Sequence, residues 1–143
     1  MTFMTKYLPM NLRRGDVVLA QVPMPSTQLT QFKLRPAVII SADNLNQILD
    51  DVMVVPCTSK TSRPVTMTQY LITGNEIALA GIRVESVVRC ESIFTLNKSM
   101  ITRKLGSLST EAINHVNRCL MVALELEIVD QIRLDHENQP NNS

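Results

Sequence analysis

The side chains best suited to chemistry stand in three polar clusters, each next to an apolar run of strand length. The clusters are Arg35, Thr58-Ser59-Lys60 and Arg89-Cys90-Glu91-Ser92. If the strands bring these clusters together, the pocket holds two guanidiniums, hydroxyls and a carboxylate. Arginine binds phosphate oxygens in a bidentate manner, hydroxyls donate to the same oxygens, and a carboxylate accepts the proton of an attacking 2′-OH. The set therefore predicts phosphoryl transfer to an internal hydroxyl, with arginines opposing the negative charge of the transition state.

Each cluster also has an ordinary structural interpretation. Arg35 fits a solvent-facing loop, and Thr58-Ser59 fits a turn whose hydroxyls bond their own backbone. Arg89 and Glu91 stand at i and i+2 on one strand face, the usual spacing of a surface salt bridge. These alternatives stay open at this point, because a strand pattern by itself gives a fold and not a function.

The cysteines and histidines do not form the pattern of a metal site or a triad. They are Cys57, Cys90, Cys119, His115 and His136. The cysteine number is odd and the spacings are wide, which matches neither a disulfide framework nor a zinc motif. Both histidines lie in the C-terminal third, so a Ser-His or Cys-His triad lacks a well-placed base. We therefore expect no metal and no cofactor.

The elements that must position these clusters are mainly short strands. Strand-type runs cover residues 17–22, 37–41, 52–56, 66–72, 76–80 and 81–90, and residues 93–96 and 100–105 predict a hairpin around Asn97-Lys98. Asp43 or Asn44 is a candidate cap for a short helix through Leu49. Residues 26–34 predict a long, mobile loop. Many short strands with frequent turns predict a small β-barrel.

The C-terminal part of the chain changes to a helical pattern. Ser109 is a good N-cap, and apolar side chains from Ile113 to Leu124 recur at helical spacing. An amphipathic helix packed on the barrel is therefore predicted, reaching Val129 or beyond. We expect one domain over residues 1–143, with flexible ends at 1–12 and 135–143.

The composition is that of a globular protein, with 45% hydrophobic and 19% charged residues. No apolar run is long enough for a membrane span, and the first residues lack the apolar core of a secretory signal. We therefore expect a cytoplasmic location and no membrane contact. Residues 1–104 hold twelve Lys/Arg against seven Asp/Glu, a net +5, while residues 105–143 have a net charge of −4. This asymmetry fits either a basic body that faces a polyanion or two ordinary surfaces.

Several short motifs occur in a fixed order along the chain. They are Gly-Asp-Val-Val at 15–18, Leu-Arg-Pro-Ala-Val-Ile-Ile at 34–40, Val-Pro-Cys-Thr-Ser at 55–59 and Val-Val-Arg-Cys-Glu-Ser at 87–92, followed by residues 95–98 and 104–109. Their order and spacing resemble the MazF/PemK/Kid family of toxin–antitoxin ribonucleases over residues 13–127. The resemblance implies a mainly β fold, an SH3-like small β-barrel with a C-terminal amphipathic helix, and a homodimer.

The resemblance also implies an activity and a site. Members of this family cleave single-stranded RNA at short sequences, and a partner antitoxin covers the RNA groove with a disordered tail. Residue by residue, it implies catalytic roles for Arg35, Thr58, Arg89 and Glu91. Arg89 stands where the family has a general acid or phosphate clamp, and we assign it charge stabilisation because a guanidinium pKa exceeds about 12. Glu91 stands where the Kid-like branch has an aspartate proposed as base. The implied RNA contacts are Ser59, Lys60, Gln31 and Lys33.

The chain departs from the Kid-like pattern at three places. Its first loop, residues 27–31, has neither the His nor the Glu of that branch, Ser92 replaces a Gln, and Glu91 is one methylene longer than Asp. Three hypotheses follow. The first is a metal-independent endoribonuclease that attacks through the 2′-OH and leaves a 2′,3′-cyclic phosphate. The others are a non-catalytic RNA-binding protein and a protein that poisons gyrase by contact, as the related toxin CcdB does. The arginine, hydroxyl and carboxylate set favours the first.

Overall fold

The computed structural model describes residues 11–24, 27–28 and 30–126. The strands are β1 Asp16–Pro23, β2 Phe32–Ile39, β3 Asp51–Thr58, β4 Gln69–Ile72, β5 Ser86–Arg89, β6 Phe94–Asn97 and β7 Ile101–Ser107. The helices are α1 Asp43–Ile48, α2 Asn75–Ala80 and α3 Thr110–Leu124, and a 3₁₀ turn covers Lys98–Met100. No helix in this described part is long and apolar enough to cross a bilayer.

All strands belong to one antiparallel sheet. Its hydrogen-bonded order is β4-β5-β3-β2-β1-β7, and β6 pairs with the first half of β3. The predicted mainly β class with a C-terminal amphipathic helix is therefore confirmed. Among the described strands the order is open at β4 and β7, so full closure of the barrel stays a prediction.

Apolar side chains pack on both faces of the sheet, because alternate residues of a strand point to opposite sides. On one face Val17, Val38 and Val55 pack against α3 through side chains such as Val116 and Leu120. The other face holds a second cluster. Its members are Leu12, Val18, Ala20, Val22, Ala37, Ile39, Val52, Val54, Leu96 and Ile101. Leu12 is 4% exposed, and the flexibility of residues 1–12 stays a prediction.

Strand β3 changes its partner near its end, and this change positions the site. It pairs with β2 from Ala37↔Pro56 to Ile39↔Val54. It then pairs with β5 through Cys57↔Val88 and Thr58↔Val87. β2 continues along β1 to Phe32 without β3 beside it. The sheet is therefore split between β2 and β3 beyond Pro56.

Strand β2 begins earlier than predicted because it pairs with β1 as far as Phe32. We expected a loop as far as Leu34, but the strand begins at Phe32, and Pro36 lies within it opposite Leu19. A proline has no amide hydrogen and is tolerated in a strand where one edge is open. β3 reaches β2 only from Ala37 onward, so Pro36 lies at such an edge.

Two further sequence predictions are wrong in this part of the fold. Residues 76–80 form helix α2, not a strand, because Gly74 and Gly81 bound them with φ of +60° and +72°. Such values favour glycine at helix ends. β6 and β7 are confirmed as strands but do not form a hairpin, since β6 pairs with β3 and β7 with β1.

Of the two predicted helix caps, the structure confirms one. Ser109 caps α3 as predicted, accepting a hydrogen bond from the Ala112 amide at 3.1 Å. Asp43 does not cap α1 but accepts from the Arg14 amide at 2.7 Å, and the N-cap is Ala42. Helix α3 ends at Leu124, short of the predicted Val129. Flexible ends at residues 1–10 and 135–143 concern positions outside the described residues.

Candidate active site

Two of the predicted site residues, Arg35 and Thr58, lie on the two sides of the split between β2 and β3. Arg35 on β2 lies opposite Ala20 of β1, and Thr58 at the end of β3 lies opposite Val87 of β5. Both side chains are half-buried. The loss of strand pairing beyond Pro56 therefore creates a concave surface between them, with an arginine on one wall and a hydroxyl on the other.

An open cleft of about 300 Å³ fills this split. We call it the arginine cleft. It is lined by Val22, Pro23, Met24, Arg35, Pro56, Cys57, Thr58, Arg89, Ser92 and Phe94. Three of the four predicted catalytic residues, Arg35, Thr58 and Arg89, thus line one cleft. Its lining includes no carboxylate, so two guanidiniums share the cleft with two neutral hydroxyls and apolar walls.

Arg89 is held in place by one edge of its guanidinium. Its Nε donates to Oε2 of Glu91 at 3.0 Å, and its side chain remains 47% exposed. Within the described part of the chain, neither Nη atom of Arg89 donates a hydrogen bond to a protein acceptor. The outer edge of the guanidinium is therefore available to an oxyanion in the arginine cleft.

Glu91 lies beside Arg89 and outside the lining of the cleft. Thr68 Oγ1 donates to Oε1 at 2.9 Å, and Gln69 Nε2 donates to Oε2 at 3.0 Å. Partial burial acts to raise the pKa of Glu91. Hydrogen bonds from Gln69, from its own backbone, from Arg89 and from Thr68 outweigh it and lower the pKa below its usual value. Its role as general base stays a prediction, but its contacts are those of a carboxylate kept charged to orient Arg89.

Thr58 is oriented by the turn that follows β3. Its Oγ1 accepts a hydrogen bond from the Lys60 amide at 3.2 Å. The turn geometry that we weighed as an ordinary alternative is therefore present. It occupies a lone pair of the hydroxyl oxygen and leaves the hydroxyl proton to be donated. The local turn and a role in anion binding are compatible.

The predicted RNA contacts fall in different places. Ser59 and Lys33 line a second cleft on the other side of Arg35. Lys60 and Gln31 are exposed and line neither cleft. The Gln31 amide donates to Thr27 Oγ1 at 3.2 Å, which ties the first loop to itself.

The cysteines near the site are buried and hold their protons. Burial raises the pKa of Cys57 to about 12, and burial together with the neighbouring Cys119 raises that of Cys90 to about 12. A thiolate nucleophile needs a lowered pKa, so neither residue is suited to covalent catalysis at neutral pH. Within residues 11–24, 27–28 and 30–126, no His, Cys, Asp and Glu side chains gather into a group that could hold a metal ion.

Sequence reasoning missed the residues that support the site from behind. Thr68 and Gln69 reach Glu91 from the start of β4, whose register places Gln69 opposite Arg89. Both stand more than twenty residues from Glu91 along the chain, so the only available signal was the pairing of β4 with β5.

A small antiparallel β domain with two guanidiniums and two hydroxyls around an open cleft has the groups that suit a phosphate-like oxyanion. The sequence profile described as "PemK-like, MazF-like toxin of type II toxin-antitoxin system" matches residues 13–124. The chain therefore belongs to this toxin family.

Individual relatives agree with this assignment. The chain is 31% identical over 118 residues to the endoribonuclease MazF of Staphylococcus saprophyticus, covering 82% of this chain and 95% of that protein. An endoribonuclease from a mycobacterial species has a similar fold, with TM-score 0.66 and 22% identity over 83% of this chain and 96% of the other. MazF from Deinococcus radiodurans also has a similar fold, with TM-score 0.66 and 17% identity over 82% of this chain and 99% of the other.

Proposed function

We propose that this toxin is an endoribonuclease that cuts single-stranded RNA, in the cytoplasm, by attack of a ribose 2′-OH on the adjacent phosphate. The observation that supports this most is the convergence of Arg35, Thr58 and Arg89 on the arginine cleft, where Arg89 bonds Glu91 through its Nε atom. The relative from Staphylococcus saprophyticus is named an endoribonuclease, which supports the same activity for this chain.

In this proposal the two arginines bind the non-bridging oxygens of the scissile phosphate, and the Thr58 hydroxyl donates to one of them. Negative charge on these oxygens grows in the transition state, so the fixed cations and the hydroxyl stabilise it more than the ground state. The 2′-OH gives its proton to water as its oxygen forms a bond to phosphorus, the bond to the 5′-oxygen breaks, and that oxygen takes a proton from water, so a 2′,3′-cyclic phosphate and a 5′-hydroxyl remain. The charge stabilisation comes from side chains, so we propose that cleavage needs no metal ion.

The contacts of Glu91 support a positioning role in this reaction. A general base must come within hydrogen-bond reach of the proton that it accepts, and Glu91 lies outside the arginine cleft with both oxygens engaged. We propose that Glu91 acts by holding Arg89. Its alternative role as base is tested by the variants described in the Discussion.

The test uses a long single-stranded RNA and purified protein. We expect cutting that continues in excess EDTA and leaves cyclic phosphate ends. A single 2′-deoxy substitution at a mapped cut site should abolish that cut and leave binding largely intact. Binding without cutting would make the protein a non-catalytic RNA binder. Neither binding nor cutting would point to a protein-directed poison like CcdB.

We also propose a homodimer and an antitoxin partner. One solved structure of similar fold, with TM-score 0.65, is that of an endoribonuclease in complex with its cognate antitoxin from a mycobacterial species. The net +5 of residues 1–104 fits an acidic, disordered antitoxin segment that orders on binding. Sedimentation should give twice the 16.0 kDa chain mass, and antitoxin binding should weaken as salt rises.

A further inference from the structure

A second open cleft, of about 390 Å³, lies on the other side of Arg35. We call it the flanking cleft. Its cations are Lys33, Arg35, Arg83 and Arg103, and its hydroxyls are Ser59 and Ser86. The remaining lining is Leu19, Leu34, Pro36, Cys57, Gly81, Ile82, Val84 and Leu105. None of the described residues that line it is acidic. In the described part of the chain, no carboxylate forms a salt bridge with any of the four cations.

The cations come from separate elements that the sheet brings together. Lys33 and Arg35 are two residues apart on β2. Arg103 of β7 lies opposite Leu19 of β1, and Leu19 lies opposite Pro36 of β2, so Arg103 is two strands away from the β2 cations. Arg83 enters from the turn between α2 and β5. Lys33, Arg83 and Arg103 are exposed, so they cost little to keep charged and are open to a ligand.

The flanking cleft continues from the arginine cleft across shared walls. Arg35 and Cys57 line both clefts. The neighbouring residues Thr58 and Ser59 divide between them, with Thr58 in the arginine cleft and Ser59 in the flanking cleft. A ligand held by Arg35 in the first cleft therefore lies next to the second, because Arg35 belongs to the walls of both.

We propose that the flanking cleft binds a nucleotide next to the scissile one in the same RNA strand, with Arg83 and Arg103 on its phosphate. This inference rests on the proposed function, because the arginine cleft must hold the scissile phosphate. Three of the four cations are arginines, which match phosphate in a bidentate manner. A single-stranded nucleic acid carries one phosphate per residue, so a strand crossing Arg35 presents its next charge to a surface without carboxylates.

The test compares two synthetic RNAs built around a cut site mapped in a long transcript. One spans only the scissile bond and its immediate neighbours, and the other extends this core by four nucleotides on both sides. Both carry a 2′-deoxy sugar at the scissile position so that binding is measured without cutting. We expect wild-type protein to bind the extended RNA about 10-fold or more tightly than the core, the size of one or two charge-assisted hydrogen bonds.

The decisive variant is Arg83→Ala/Arg103→Ala. In this variant the ratio of the affinity for the extended RNA to the affinity for the core RNA should fall close to one. The slope of log affinity against log salt for the extended RNA should become shallower by about 0.7 for each phosphate that the variant no longer binds. Arg83→Lys/Arg103→Lys should keep most of the salt slope, because charge is retained. Arg118→Ala is the matched control, since Arg118 is an exposed arginine on α3 that lines neither cleft and should leave the ratio unchanged.

The outcomes separate this inference from the proposed function. A wild-type protein that neither binds nor cuts RNA overturns both. A protein that cuts RNA but gains nothing from the extension, or a double alanine variant that keeps the gain, overturns only the flanking cleft. An oligoglutamate peptide that displaces the extended RNA as well as unlabelled RNA of equal charge assigns the cleft to an acidic protein segment and also overturns it.

Discussion

The Nε atom of Arg89 donates a hydrogen bond to Oε2 of Glu91 at 3.0 Å. The two residues flank the buried Cys90 in the sequence. The Nε atom of the guanidinium is thereby bonded within the protein, while Arg89 also lines the arginine cleft. The pair is a surface ion pair by exposure, which by itself contributes little to stability. Its effect is to restrict the conformations open to the Arg89 side chain.

Removing the Arg89 guanidinium should reduce turnover on the mapped RNA by on the order of 10²-fold or more, the size of a missing oxyanion donor. Arg89→Lys keeps the charge but not the bidentate edge and should fall between. The measurement is kcat/KM with circular dichroism as a check on folding. Arg118→Ala serves as the control, and an Arg89→Ala enzyme with wild-type turnover would place the chemistry elsewhere.

Glu91→Gln separates a positioning residue from a base. As a positioning residue, Glu91 can be replaced in part by Gln, since the amide oxygen still accepts from Arg89, and we expect a loss of about 10-fold, below the 10²–10⁴-fold contribution of a general base. The pH–rate profile should keep its shape and only scale down. If the pH–rate profile instead lost its acidic limb and turnover fell much further, Glu91 would be the base.

The lowered pKa of Glu91 sets the sign of a pH effect on stability. Because its folded pKa lies below the unfolded value near 4.3, its stabilisation is complete above that value and is lost as pH falls through the folded pKa. The difference in unfolding free energy between wild type and Glu91→Gln should therefore be constant at neutral pH and shrink in acid. Urea unfolding at several pH values measures it, and a difference that grows in acid contradicts the assignment.

The Thr58 hydroxyl is tested by one substitution that removes it and one that keeps it. Thr58→Val removes the donor and should lower turnover by about 10-fold, the value of a hydrogen bond to a charged group. Thr58→Ser keeps the hydroxyl and should stay near wild type. Thermal unfolding provides the check that β3 is intact, because Thr58 is half-buried at the strand end. Equal turnover in the two variants would remove Thr58 from the site.

Gly81 is needed for the turn that brings Arg83 to the flanking cleft. Its φ is +72°, and an added Cβ would lie 2.0 Å from the Leu105 carbonyl oxygen. Gly81→Ala should destabilise the fold by more than about 2 kcal/mol, since backbone strain and a backbone collision add. Gly74→Ala has φ +60° with nothing within 4 Å of the new Cβ and should cost less. Chemical denaturation of both variants gives the comparison.

The sequence predicted the strands that carry the site but not their pairing. The apolar runs before Thr58 and Arg89 and the spacing of Arg89 and Glu91 are local patterns, and they indicated both the elements and the candidate residues. The partner change of β3 and the contacts of Thr68 and Gln69 with Glu91 depend on long-range register, which no local pattern contains. Residues 76–80 show the opposite failure, because Glu, Ala and Leu in this segment favour a helix locally, and this signal was missed.

The alternation around Cys90 has a consequence for how this lineage can change in length. Val88 and Cys90 are buried, while Arg89 and Glu91 face outward. Gaining or losing one codon within residues 86–91 would shift the pleat by one position and turn two ionised side chains into the core. Residues 61–67 are exposed and lie outside any strand, so they do not alternate between buried and exposed positions. Natural length variation among descendants of this gene should therefore accumulate at residues 61–67 and be absent from the segment that carries Arg89.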